Sequence, residues 1–520
     1  MFPSLFVILL SVSWKSSSTL AYPSEGFLHC LSLHFANSTS ISKLVYTQRN
    51  SSFSSVLKSS AQNFRFTTPS TPTPLFIITP LQPSHIQAAI YCSRIHGLHV
   101  RTRSGGHDFE GLSYTTANYI IPFVVIDLVN LRSVQVDVEK ATAWVESGAT
   151  IGELYYGIAQ KSRTLAFPAG LFYTVGVGGQ FTDNVIDARL IDAKGRILDR
   201  KSMGDDLFWA IRGGGGGSFG IVLAWKLKLV AVPANVTVFT VRKTLEQNAT
   251  KLVHRWQSIA HKFPKELLMS IFISSVKSSE ADKKMTIQAN FSSMFLGSID
   301  ELVPLMEERF PEFGLVRDDC LEMSWVEAIL SAQGGVELET LLERHQKTGV
   351  SQTFFKAKFD YVKQPIPEMG LEGLWPMFYE EEAKMANIFL VAYGGKMDEI
   401  PETEIPFPHR AGTIYSIIYV VDWDEKDNRN SKRFLNWIRR VYDYMTPYVS
   451  NSPREAYVNY KDLQIGSNNM FSCKGSYAQA KIWGRKYFKN NFDRLVYVKT
   501  KVDPENFFRH EQSIPPLSCF

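Results

Sequence analysis

Arg101-Thr102-Arg103-Ser104-Gly105-Gly106-His107-Asp108 is the stretch whose reading decides the fold. Adjacent glycines let the backbone take positive φ angles or approach a ligand closely, so that successive amide N–H groups can converge on an anion. An imidazole and a carboxylate follow at once. Upstream, Gln87 to His96 carries apolar residues at helical spacing and Leu98-His99-Val100 reads as a short strand, so the order is helix, strand, glycine turn, histidine. Alone, such a turn is more often plain structure than a ligand cradle. The rest of the chain raises its weight.

On the amino-terminal side, Leu75 to Pro80 predicts a buried-type strand entering a helix near Ser84, behind polar loops around a weak helix in Ser51–Ser60. On the other side, Tyr119–Asp127 and Ala141–Gly148 predict strands, and Thr150 caps a helix from Ile151 to Gln160. A second glycine cluster follows at Thr174-Val175-Gly176-Val177-Gly178-Gly179, either a ligand-facing loop or a chain reversal. Asn184 to Leu198 predicts a hairpin turning at Ala193-Lys194-Gly195, Asp206–Arg212 a helical turn running into Gly213–Gly217, and Ile221–Val230 a long strand. Composition shifts near Pro233. Beyond it, strands such as Leu268–Ile273 alternate with helices such as Ser298–Phe310, without glycine turns of the first kind. The last segment holds Tyr457-Val458-Asn459-Tyr460, a helix from Tyr477 to Lys489 and the ending Val502–Phe508, and is expected to pack back on the first domain.

Composition bounds the function. A chain of 520 residues exceeds one hydrophobic core, and 45% hydrophobic with 21% charged residues is globular. The net charge of +5 contains no block of like charge able to track a phosphate backbone, which argues against nucleic acid. The apolar run in Met1–Val12 is too short to span a bilayer, and Ser18-Thr19-Leu20-Ala21 offers a cleavage site, so residues 1–21 read as a signal peptide of a secreted protein without a membrane anchor. Sequons at Asn37, Asn50, Asn235, Asn248 and Asn290 are candidate glycosylation sites in that compartment. The odd cysteine count (Cys30, Cys92, Cys320, Cys473, Cys519) allows at most two disulfides, and neither the cysteines nor the eleven histidines show metal-ligand spacing.

These motifs, in this order from about Cys30 to Pro516, resemble the plant berberine bridge enzyme-like flavoproteins of the vanillyl-alcohol-oxidase type. The resemblance rests on the Arg101–Asp108 stretch, Thr174–Gly179, Asp206–Gly216, Tyr457–Tyr460 and Val502–Phe508. It implies an α+β fold: an FAD-binding PCMH-type domain over residues 22–232, a substrate domain on an antiparallel sheet over 233–454, and a carboxy-terminal segment, 455–520, returning to the FAD domain. It implies FAD held covalently by His107, with Arg103, Ser104, Gly105, Gly106, Asp108, Ser113, Thr174, Gly176, Gly178, Gly179 and Val185 among the cofactor contacts. Tyr460 matches the catalytic base, Tyr457 and Asn459 its neighbours, and Cys30 and Cys92 a disulfide. A base at the carbon that yields hydride makes chemical sense, and a tyrosine, with a pKa of about 10, needs a nearby cation or strong donor to serve at neutral pH.

Three departures qualify the resemblance. Phe172 stands where the family usually carries a cysteine that makes a second covalent flavin bond, so only the histidyl link remains. Gly179-Gln180-Phe181-Thr182-Asp183-Asn184-Val185 joins directly what the family separates by a further glycine-rich turn and short helix, through divergence or a segment lost from the gene model. Ile418 stands where Gln or Glu is common, and on a strand it shares a face with Ser416, the face toward the substrate in the family. The expected function is a secreted, monomeric FAD-dependent oxidoreductase acting on an alcohol- or amine-bearing metabolite or carbohydrate, with O2 or another acceptor. The alternative is a catalytically impaired secreted glycoprotein that keeps the scaffold as a ligand- or glycan-binding protein.

Overall fold

The structure, a computed structural model, describes residues 21–35, 41–117, 120–178, 183–278, 285–344, 353–469 and 476–517. The apolar run of the signal peptide, Asn37, Gly179, Cys473 and Cys519 lie outside the described residues.

The first sheet contains β1 (Val45–Thr47), β2 (Phe76–Ile78), β3 (His99–Arg103) and β4 (Phe123–Asp127) in the order β1-β2-β4-β3. Strands β2 and β3 both run parallel to β4. The apolar runs of β2 and β4 follow from burial on both faces, as parallel strands require, whereas β3 at the edge of the sheet carries His99, Arg101 and Arg103. Ile78, Val124 and Ile126 pack with the helices Ala21–His34 and Pro83–Ile95 on one side. Ile77, Phe123 and Val125 pack with Tyr114 and the short helix Phe53–Lys58 on the other. The Cys30–Cys92 disulfide joins the two helices of the first side.

A second, antiparallel sheet follows, built from β5 (Val134–Asp137), β6 (Thr142–Glu146), β8 (Val185–Ile191), β9 (Ile197–Leu198) and β10 (Ile221–Lys228), while β7 (Leu165–Ala166) pairs with β11 (Val230–Ala231). The order is β5-β6-β10-β8-β9. Thr150 caps the helix Ile151–Ala159 as the sequence predicts, in a reciprocal capping box with Glu153. The helical turn expected at Asp206–Arg212 is longer: Asp199 caps it and it runs from Arg200 to Ile211, kinked at Gly204 with φ +68°.

The third sheet has seven strands, β12 (Val236–Thr244), β13 (Leu267–Lys277), β14 (Met285–Phe295), β15 (Cys320–Met323), β16 (Phe354–Val362), β17 (Ala386–Ala392) and β18 (Tyr415–Trp423), ordered β15-β12-β14-β13-β17-β18-β16 and antiparallel throughout. One face carries Ile271, Ile273, Ile388, Leu390, Ile417 and Tyr419 and buries the apolar stripes of helices Ala249–Ile259 and Ser431–Tyr444. The residues between them, at period two, turn to the opposite face. There Phe359 pairs with Ile418 and Tyr361 with Ser416, so the shared orientation of Ser416 and Ile418 is as the sequence predicts.

The carboxy-terminal segment returns to the first domain. Helices Ser476–Phe488 and Asn491–Val502 place Trp483, Phe488, Phe492 and Leu495 in one core with Leu207, Phe208 and Val222. A buried ion pair joins Glu511 to Arg101 at 3.0 Å, and Arg509 Nε donates to His99 Nε2 at 2.9 Å. The second of these helices is absent from the sequence reading. Lys489, at φ +45°, breaks the chain direction there, and the Asn490-Asn491 pair reads as a loop.

Candidate functional site

The loop after β3 leaves a run of donors free. Among the described residues, nothing accepts a hydrogen bond from the backbone N–H groups of Ser104, Gly105, Gly106, His107 or Asp108. Buried N–H groups without partners are costly, and in this run Gly105 and Gly106 are buried with half-buried residues on either side, a concavity suited to an anion. The loop is held from outside itself. Gly106, at φ +70°, lies against the Ser60 carbonyl, which a β-carbon would approach to 1.9 Å. Asp108 Oδ1 accepts from the amides of Glu110 and Leu112. Ser113 Oγ, four residues further from Phe109, is buried with no partner.

The second glycine loop crosses the first. Its carbonyls at Tyr173 and Val175 accept from Gly152 and Ile151 at the start of the capped helix, which fixes it there. Gly178 N donates to Ser104 Oγ at 3.3 Å, and Trp225 Nε1 donates to the Val177 carbonyl at 3.1 Å. Gly105 and Gly176 meet backbone to backbone: a β-carbon on Gly105 would stand 2.3 Å from the Gly176 nitrogen. Thr174 Oγ1 lies 2.9 Å from His107 Nε2, whereas Nδ1 of that ring takes no partner among the described residues. Burial holds the His107 pKa down at about 4, although a hydrogen bond at Thr174 opposes the shift, so the imidazole is neutral and its lone pair available near pH 7.

The residues present therefore fit FAD: a free N–H run suits its diphosphate, and a neutral imidazole suits a bond to its ring. Two of the expected contacts have their side chains engaged within the protein. Arg103 is fully buried, with Nε and Nη2 on Asp127, Nη1 on the Leu57 carbonyl and Nη2 on the Val56 carbonyl, so four of its five N–H donors are committed to the protein. Val185 opens β8 with its side chain in the core.

The tyrosine segment comes to the same place. Tyr460 stacks on Phe109, two residues beyond His107, with ring centroids 5.0 Å apart and planes 19° from parallel. Phe359 of β16 lies 5.6 Å from Tyr460 and 5.9 Å from Tyr457. Asn459 Nδ2 donates to Tyr457 Oη at 2.7 Å, so its amide serves Tyr457 and not Tyr460. No hydrogen bond reaches Tyr460 Oη among the described residues. Burial first, and Tyr457 second, push the Tyr460 hydroxyl well above its ordinary range. Sequence reasoning missed Phe109, Tyr361, Tyr393 and His409. His409 stacks on Tyr361 at 4.1 Å with Nδ1 3.1 Å from Glu455, and Tyr393 Oη donates to Tyr361 Oη at 3.4 Å. Tyr361, Tyr393 and His409 come from three separate stretches of the second domain, and only Phe109, directly after the glycine motif, had a local signal.

A glycine loop of unpartnered N–H groups bearing a neutral histidine, with an antiparallel sheet bringing Phe359 to the neighbouring tyrosines, is the arrangement of a two-domain flavin-dependent oxidoreductase. Comparison with known proteins agrees. A family model described as FAD binding domain matches residues 74–200, and one described as Berberine and berberine like matches 456–515. The chain is 48% identical to cannabidiolic acid synthase-like 1 of Cannabis sativa, over 98% of this chain and 97% of that one. It is also 48% identical to tetrahydroberberine oxidase of Berberis wilsoniae, over 99% and 98%. The solved structure of BBE-like #28 from Arabidopsis thaliana superposes with a TM-score of 0.87 at 46% identity, covering 95% of this chain and all of that one. The chain belongs to the berberine bridge enzyme-like family of FAD-dependent oxidoreductases. The first of these alignments runs over 533 positions, more than the 520 residues of this chain, so the relative carries residues that this chain lacks.

Proposed function

We propose that this chain is secreted and oxidises a hydroxyl- or amine-bearing small molecule or sugar, with His107 as the covalent anchor of FAD and Tyr460 as the base. The observation that carries this reading is the stack of Tyr460 on Phe109, which brings the base and the anchor loop to one point. FAD, when bound, supplies the hydride acceptor, and O2 or another acceptor reoxidises it. Tyr460 Oη takes the proton of the substrate hydroxyl, a role for which its raised pKa makes it strong but scarcely ionised at neutral pH. Turnover is therefore expected to climb with pH through the neutral and mildly alkaline range. The Cys30–Cys92 disulfide and the exposed sequons at Asn50, Asn235 and Asn248 support secretion. Asn290, in the interior strand β14, is half-buried with its Oδ1 unpartnered and is the least accessible acceptor of the described four.

The test is spectroscopic. Purified protein is expected to show flavin absorbance that stays with the pellet on acid precipitation and bleaches anaerobically with an alcohol, sugar or alkaloid substrate. His107→Ala is expected to release the flavin, and covalent flavin persisting in that variant refutes the anchor. A second reading, a scaffold impaired in catalysis, is favoured by Ile418, which sits beside Phe359 and whose aliphatic side chain can neither orient a hydroxyl nor take a proton. A folded but colourless protein would select it.

A further inference from the structure

Behind Tyr460 lies a quartet of buried charges that the reaction as proposed does not use. Lys356 and Lys358 of β16 both reach the Asp462 carboxylate, at 2.6 Å and 2.7 Å, and Lys356 Nζ also donates to Glu110. All four side chains are less than a tenth exposed. Two ammonium and two carboxylate groups leave the cluster neutral. Burial alone would raise the Asp462 pKa, but the two ammonium groups outweigh it and hold it at about 2, so this carboxylate stays ionised across the physiological range.

The quartet joins three parts of the chain that are far apart in sequence. Glu110 follows Phe109 in the loop that starts with His107, Lys356 belongs to the edge strand of the third sheet, and Asp462 lies two residues after Tyr460. Asp462 is fixed further: its N–H donates to Tyr487 Oη at 3.0 Å, and its carbonyl accepts from Gln512 Nε2 at 2.9 Å. Buried ion pairs contribute little net stability, because desolvation consumes most of the attraction, and an apolar core of the same shape would hold as well. Their geometry, however, is specific. We infer that Lys356 is a positioning residue: through Glu110 and Asp462 it clamps the Tyr460 segment onto the His107 loop and so sets where Tyr460 Oη stands relative to the cofactor anchor. The clamp stands on geometry alone, and its kinetic effect rests on the reading of Tyr460 as the base.

Removing Lys356 alone takes an ion-pair partner from the buried Glu110 and Asp462 carboxylates, so a charge-balanced variant accompanies it. The full chain is compared as wild type, Lys356→Met, the double variant Glu110→Gln with Lys356→Met, and Lys356→Arg. Tyrosine nitration by tetranitromethane, mapped by peptide mass, reads the clamp without flavin or substrate. Tyr460 is expected to nitrate about tenfold faster in the double variant, with Tyr415 on the far face of the sheet still protected and Lys356→Arg close to wild type. Anaerobic bleaching is expected to slow by roughly tenfold or more, since about 1 Å of misplacement can cost on the order of a hundredfold, while the apparent substrate Kd changes less than about threefold. A double variant that protects Tyr415 and nitrates Tyr460 at the wild-type rate overturns the clamp. Wild-type protein that bleaches with no substrate refutes the base reading instead, and the nitration result still decides the clamp.

Discussion

Gly105→Ala is the sharpest test of how the two glycine loops make the cofactor cradle. The added β-carbon would stand 2.3 Å from the Gly176 nitrogen and 2.9 Å from both the Gly176 Cα and the Thr174 carbonyl, all backbone atoms. Ordinary contact begins at about 3.5 Å, so the loops must part by about 1 Å, and no side-chain rotation can absorb it. Overpacking of this kind costs about 1–3 kcal/mol. The larger effect is on the site, because Thr174 would move off His107 Nε2, now 2.9 Å away. Flavin content per protein, from the absorbance ratio, is expected to fall severalfold, with a lower thermal midpoint. Gly170→Ala is the control: it lies just before the same segment, is exposed, and its β-carbon would meet nothing within 4 Å. A Gly105→Ala protein with wild-type flavin content and midpoint would refute the close crossing of the loops.

Three further outcomes are expected. Replacing Cys30 and Cys92 by alanine removes a cross-link between residues 62 apart in the chain and should cost about 4 kcal/mol by loop entropy, read from denaturant unfolding of the non-reduced protein. His99, held down at about 3 by burial and the neighbouring Arg509 and Arg101, and His107, held down at about 4, are both neutral when folded. Unfolding raises their pKa values toward 6.5, so the unfolded chain binds more protons and stability is expected to fall as pH drops from about 6.5 toward 4; an unfolding midpoint flat over that interval contradicts it. Ile418→Gln places an amide beside Phe359 and Tyr460 on the sheet face turned from the helices, and is expected to quicken flavin bleaching by a hydroxylic substrate; an unchanged or slower rate means that the substrate does not reach Ile418.

Local chemistry alone carried much of the fold. Apolar runs at Phe76–Ile78 and Phe123–Ile126, the Thr150 cap and the glycine turn after β3 are set by residues adjacent in the chain, and each stands where the sequence puts it. Period-two alternation likewise put Ser416 and Ile418 on one face. Tertiary structure decided what these residues meet. That Gly105 touches Gly176 and that Arg103 turns inward to Asp127 depend on contacts between segments tens of residues apart, for which no periodicity or spacing exists. The same holds for the charged quartet: Glu110, Lys356 and Asp462 each look like an ordinary surface charge in the sequence, and only the return of the carboxy-terminal segment buries them together behind Tyr460.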